Sequence, residues 1–262
     1  MFIVQLGAHG HEDTSYANHA DQVPAMIEAG ASAILFEPQI FFYDKLRTKY
    51  EHNPDVHVLN PAVCGADTTF TVLYSVDINN ADNFGSLHAD GRCANTTLNP
   101  NSTSMWVTEI AALSRAQLMN QAYLFGYSPG QCRACSRVLG LEKPPNCMED
   151  LIGANLRTTR VECVRWPSVL PPGRRVDLLM IDIEGHEAQA IKSFPFATNP
   201  VGKVRFEAKH IRDGGALKVV NRTLTDAALS PLSQGDDETW QSTKVVKQAS
   251  LLHRLYKGLT RQ

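Results

Sequence analysis

The residues best suited to chemistry lie in one run, Val176-Asp177-Leu178-Leu179-Met180-Ile181-Asp182-Ile183-Glu184-Gly185-His186-Glu187. An apolar strand there delivers Asp182 and Glu184 to one edge of a sheet, and Gly185 opens a helix. An apolar strand end would pack better than two carboxylates, because burying a charge is costly. The helix dipole rewards an acidic residue such as Glu187, but that leaves Asp182 unexplained. These carboxyl groups are candidates for holding a polar ligand.

Two other stretches offer complementary chemistry. Val4-Gln5-Leu6 runs into the small-residue turn Gly7-Ala8-His9-Gly10. A nucleoside cofactor must approach the backbone closely at the carboxyl end of such a strand. Gly7 and Ala8 leave room, and Gly10 can take angles closed to larger residues. The plainer alternative is a strand-to-helix turn that needs glycine for geometry alone. Further on, Ile34-Leu35-Phe36 ends in Glu37-Pro38. An acidic residue at the end of a second strand can accept hydrogen bonds from ribose hydroxyls, as in dinucleotide sites. Pro38 ends the strand. The spacing from Gly7 exceeds the roughly 20 residues of dinucleotide folds, so a longer first crossover is needed.

The elements that would position these residues are readable from periodicity. Phe2 to Leu6, Ala33 to Phe36, Val56 to Leu59, Val176 to Ile181 and Val204 to Ala208 are short, near-continuously apolar runs. Such runs suit strands covered on both faces. Helical patterns alternate with them, which argues for a doubly wound, mostly parallel α/β sheet. Asp21 to Ala29 has helical character with Gly30 as its cap. Phe42, Leu46 and Tyr50 make one apolar helical stripe, and Ala188, Ile191 and Phe194 make another. Thr69 to Val76 is β-rich, Asn79 to Ser104 has loop composition, and Trp106 to Phe125 looks helical. We expect one domain over residues 1–262, with a loop-rich, cysteine-containing elaboration at about 65–175.

Composition narrows the partners. The 262 residues are 43% hydrophobic and 20% charged, with a net charge of −2. This is ordinary for a globular protein and lacks the basic excess of a general nucleic-acid binder. No apolar run reaches the roughly 20 residues of a membrane span. A chain opening on a core strand is also what a fragment without its leader would look like, so cytoplasm and secretory lumen both stay open.

Among the six cysteines, Cys132-x2-Cys135-x11-Cys147-x15-Cys163 has a two-residue knuckle. It fits a structural zinc site or a disulfide framework whose pairing spacing cannot give; unlinked thiols are the third reading. Cys64 and Cys93 complete the set. Sequons at Asn95, Asn101 and Asn221 add a small argument for a secretory lumen.

Together these motifs resemble the FkbM family of methyltransferases. That family carries a D-x-G-A-N-x-G-like first motif, an E-P after the second strand and an I-D-x-E-G-x-E block after the fourth. Their counterparts here are Gln5 to His11, Glu37-Pro38 and Ile181 to Glu187, with weaker matches at Asn60-Pro61-Ala62-Val63, Gly85-Ser86-Leu87 and Phe206-Glu207. Gln5 and His9 replace the usual Asp and Asn, and the final glycine is displaced to Gly10. Gln5 can still hydrogen-bond the loop backbone but supplies no charge.

The resemblance implies a class I, Rossmann-like methyltransferase fold using S-adenosylmethionine. Its cofactor would touch Gly7, Ala8, His9, Gly10, Glu37, Pro38, Asn60, Ser86 and Asp182. The implied reaction is O-methylation of a hydroxyl on a sugar, glycan or natural product, aided by a general base. Glu184, His186, Glu207 and His210 are candidates for the base, and Asp182 for positioning cofactor or acceptor. A metal held by Asp182 and Glu184 is a further option. Two rivals are a non-catalytic glycan- or nucleotide-binding module on the same fold, and an NAD-linked oxidoreductase. The absence of G-x-G-x-x-G counts against the second.

Overall fold

The computed structural model describes residues 1–9, 11, 21–64, 69–76, 111–118, 156–212 and 215–243. Gly10, Ser86, Cys93, Cys132, Cys135 and Cys147 lie outside the described residues.

In chain order the elements begin with β1 (Phe2–Leu6), α1 (Val23–Glu28), β2 (Ser32–Phe36), α2 (Ile40–Tyr50), β3 (Val56–Leu59) and β4 (Ala62–Val63). There follow β5 (Phe70–Val76), β6 (Ala111–Ala112), β7 (Leu156–Val164), α3 (Trp166–Val169) and β8 (Val176–Ile181). The chain continues with α4 (Glu187–Ser193), β9 (Val201–Glu207), α5 (Ala216–Asp226), β10 (Leu229–Ser233) and β11 (Asp237–Ser242). The chain divides into two compact units, residues 1–69 with 162–262, and 70–161.

The first unit holds a seven-stranded sheet in the order β10-β11-β9-β8-β1-β2-β3. The strands from β3 to β9 pair in parallel, while β11 runs antiparallel to β9 and to β10. The sheet is therefore mixed. Successive side chains of a strand point to opposite faces, and β1 shows the consequence. Ile3 joins a cluster with Val23 and Ile27 of α1 and Leu46 and Tyr50 of α2. Val4 and Leu6 join a second cluster with Trp166, Ala190, Ile191, Val220 and Leu224.

The stripe Phe42, Leu46 and Tyr50 is buried throughout, as its four-residue spacing requires. Gly30, at φ 91°, follows α1. Strand β9 begins three residues earlier than its apolar run, because Val201 pairs with β8 and Lys203 with both β8 and β11. Trp166 is 1% exposed; its ring stands edge-on to Phe194 and Phe36, and its indole N–H donates to the Ala190 carbonyl and Ser193 hydroxyl. Burying the indole satisfied in this way removes the usual cost of its polar atom.

Residues 162–175, which composition assigned to the insertion, fall in the first unit. There Cys163 and Val164 of β7 pair in parallel with Ala62 and Val63 of β4. In the second unit β5 pairs antiparallel with β6, Tyr74 opposite Ala112 and Ser75 opposite Ala111. Ala111–Ala112 is thus a short strand, and of the helix expected over 106–125 the described residues are helical only at 115–118. A second correction concerns the cysteines. Cys163 forms a disulfide with Cys64, closing a sequence separation of 99. A zinc site drawn from Cys132, Cys135, Cys147 and Cys163 therefore loses its fourth thiolate.

Because the bridge closes a long loop, its main effect is to restrict the unfolded chain, worth about 3 to 5 kcal/mol. Urea unfolding of the Cys64→Ser, Cys163→Ser double variant is expected to show that loss. Equal midpoints for variant and parent would contradict the bridge.

Candidate functional site

Parallel pairing sets the ends of β1, β2 and β8 side by side, Leu6 opposite both Phe36 and Ile181. The residues that follow these strands meet there. Gly7 takes φ 73°, and a Cβ built on it would lie 1.7 Å from the Asp182 carbonyl oxygen. No side chain fits at that position. The N–H groups of Gly7 and Ala8 both donate to the Phe36 carbonyl, at 3.0 and 3.1 Å. The Asp182 N–H donates to the Leu6 carbonyl at 3.0 Å.

Glu37 ties this turn together. One carboxyl oxygen accepts the His9 N–H at 2.9 Å and the other the Gln39 N–H at 2.8 Å. The side chain is 4% exposed, and burial raises its pKa to about 7 against the opposing effect of those two donors. Asn60 supports the same corner, its amide donating to the Glu37 and Pro38 carbonyls. His9, at φ 50°, stacks within 3.8 Å of the Phe42 ring.

Gln5 does something other than bond the loop backbone. Its amide nitrogen donates to Asp21 at 2.7 Å, and its amide oxygen meets the His11 Nε2 at 2.9 Å. The other His11 nitrogen lies 2.8 Å from the Tyr50 hydroxyl. Burial and the charges of Asp21 and Glu28 raise the Tyr50 pKa to about 12, so the hydroxyl keeps its proton. Burial opposes ionisation of Asp21, yet hydrogen bonds from His11, the Val23 N–H and Gln5 hold its pKa below the ordinary value. A carboxylate thus reaches the end of β1 from a distant residue. Asp21, His11 and Tyr50 were not candidates, because partners at such separations leave no local pattern.

On the β8 side the carboxyl groups crowd together. Glu184 is a non-glycine residue at φ 59°, followed by Gly185 at φ 98°. Left-handed backbone at a glutamate is uncommon and marks a constrained turn. Glu187 is fully buried and folds back over this turn, one carboxyl oxygen accepting the Ile183 and Gly185 N–H groups, each at 3.0 Å. Burial raises its pKa to about 7, with Glu207 adding repulsion against those donors.

Asp182 has a pKa pushed well up by its protein surroundings and by the charges of Glu184, Glu207 and Glu187. Its side chain is nonetheless exposed to solvent. Water weakens the desolvation cause, and crowding of like charges is the firmer of the two. Asp182, Glu187 and Glu207 each bring a carboxyl oxygen within 4.8 Å of the others.

His210 faces this group. Its Nε2 lies 3.1 Å from Glu184 and 3.0 Å from Glu207, with the ring 6% exposed. Burial would lower its pKa, but the two carboxylates outweigh that and raise it to about 10. His186, which precedes α4, has its pKa lowered by burial. Of the candidate site residues that are described, Gly7, Ala8, His9, Glu37, Pro38 and Asn60 gather at the ends of β1 and β2. Asp182, Glu184, Glu207 and His210 gather beyond β8 and β9.

No curated protein and no solved structure matches the chain. Residues 7–227 do match a family, described as the methyltransferase FkbM domain. The match runs from the glycine that abuts Asp182 to just past the end of α5, and so takes in the turn after β1 and the ends of β2, β8 and β9. That family implies a class I methyltransferase fold, and this chain belongs to the FkbM methyltransferases.

Proposed function

We propose that the protein is an S-adenosylmethionine-dependent O-methyltransferase on a doubly wound sheet, acting on a hydroxyl of a sugar, glycan or natural product. The observation that carries this reading is the contact of Gly7 with the Asp182 carbonyl while Glu37 holds the His9 N–H. Three separated stretches of chain are thereby joined at the carboxyl ends of parallel strands, where open α/β sheets bind nucleosides.

The residues present fit such a cofactor. Gly7 and Ala8 keep the turn low enough for close approach, and Glu37 retains lone pairs for ribose hydroxyls beside its two backbone donors. S-adenosylmethionine would supply a methyl group on a sulfonium, an electrophile needing no further activation. What the chain must do is orient an acceptor oxygen in line and take its proton. Glu184, Glu207 and Asp182 are suited to orienting hydroxyl groups.

Of the two histidines, His186 is the better base. Burial keeps it neutral, with a lone pair to accept a proton, whereas His210 already carries one between Glu184 and Glu207. We assign His210 to fixing those two carboxylates. Among the described residues no helix is long and apolar enough to cross a membrane.

Calorimetric titration with S-adenosylhomocysteine tests the cofactor. Saturable binding is expected, weakened about tenfold by Glu37→Gln and lost in Gly7→Ala; no heat at millimolar ligand would remove the proposal. Labelled methyl transfer to a panel of sugars tests the base. His186→Asn should lower kcat by about a hundredfold or more, with little change in KM, and abolish the acid limb of the pH profile. That limb should fall below pH 6.5, since burial lowers the pKa of His186.

The ion pairs of His210 predict a further pH dependence. The folded protein holds this proton more tightly than the unfolded chain, the pKa rising from 6.5 to about 10. Its contribution to stability is complete below pH 6.5 and lost as pH climbs through 10. The difference in unfolding midpoint between parent and His210→Gln should shrink across that interval.

A further inference from the structure

We infer that Asp182, Glu187 and Glu207 form a binding site for one divalent cation of the Mg2+, Mn2+ or Ca2+ type. Their three oxygens lie within 4.8 Å of one another, the widest spread that a coordination shell of radius about 2.4 Å can span. They come from three elements. Asp182 follows β8, Glu207 ends β9, and Glu187 opens α4. The first two are neighbours because Ile181 pairs with Phe206.

Acidic clusters are common without a bound ion, but Glu187 is buried in a way that solvent cannot satisfy. It is 0% exposed. Its Oε1 is occupied by the Ile183 and Gly185 N–H groups, but its Oε2 is buried with no hydrogen-bond partner among the described residues. A buried acceptor left unsatisfied costs about 1 to 3 kcal/mol, and more when charged. The helix dipole explains Oε1 and leaves Oε2 unexplained. A glutamine would keep the Oε1 bonds at the same volume without a buried charge. A cation between Glu187, Asp182 and Glu207 gives Oε2 the partner it lacks.

The neighbouring group of Glu184, Glu207 and His210 does not compete as a metal site. There the imidazole Nε2 already faces both carboxylates. Oxygen-only donors at the first group favour hard cations over zinc or copper. Asp182, on the solvent-exposed side, leaves the cation open to water or to an acceptor oxygen. A part in holding the acceptor rests on the methyltransferase reading above; binding of the cation does not.

The test is electron paramagnetic resonance of Mn2+ titrated into the chelator-stripped 262-residue protein without cofactor, with Mg2+ and Ca2+ as competitors. One saturable site of submillimolar affinity is expected. Glu187→Gln and Glu207→Gln should each weaken it at least about tenfold, with circular dichroism reporting that both fold. Absence of saturable Mn2+ binding up to about 10 mM, or affinity unchanged in both folded variants, overturns the site. Calorimetry with S-adenosylhomocysteine in the presence of chelator, on the same preparation, tests the cofactor separately, so either reading can fail alone.

Discussion

The site depends on one close approach, that of the turn after β1 to the backbone after β8. Parallel pairing places Leu6 beside Ile181, and the Asp182 N–H continues the ladder to the Leu6 carbonyl. The chain must then leave β1 across the Asp182 carbonyl, and only a residue without a Cβ can do so. Everything beyond β1 inherits its position from that crossing. Ala8 is carried under the Phe36 carbonyl, and the His9 N–H is brought to Glu37. Glu37 is therefore a structural clasp as well as a candidate ligand. Its burial has a purpose in that role, since two backbone donors would otherwise be left over in the turn.

The end of β1 acquires a carboxylate through space. By itself Gln5 would leave the end of β1 uncharged. Asp21, entering ahead of α1, puts a carboxylate against the Gln5 amide and the His11 ring. Tyr50, at the end of α2, closes the network from the other side. A negative charge is thereby placed against the end of β1, and it originates sixteen residues downstream. Changes at residue 5 and residue 21 are thus coupled, because each leaves the other's buried polar group without its partner.

Local pattern carried most of the parallel strands. β1, β3 and β8 have the bounds that their apolar runs suggest, since a strand buried on both faces shows itself as a short uninterrupted stretch. β9 was read too short because it neighbours the antiparallel β11, where charged residues are tolerated. Glu37, Asp182 and Glu184 were legible because carboxyl groups at strand ends contradict packing and so stand out. Glu207 and His210 could be named but not paired, as their association with Glu184 depends on the register between β8 and β9. A disulfide framework was one of three readings of the cysteines, but the pairing of Cys64 with Cys163 was not legible. Its two halves meet through β4 and β7, a contact that spacing among the other cysteines pointed away from.

The two ends of the site are built on opposite electrostatic principles. At β1 and β2 the carboxylates are satisfied individually: Glu37 by two N–H groups, Asp21 by an N–H, an amide and an imidazole. Beyond β8 and β9 four carboxyl groups crowd together, with Glu184 and Glu207 on one imidazole and Glu187 on two N–H groups. Like charges at such distances repel by several kcal/mol unless a proton or a cation intervenes. His210 supplies one positive charge, on the side of Glu184. The Asp182 side, where solvent enters, is left with a surplus that a bound ligand can relieve. A fold that gathers carboxyl groups at the exposed end of a parallel strand, and raises their pKa values there, is prepared to take up a proton or a cation. That preparation comes from backbone register and one missing Cβ, and not from any single acidic residue.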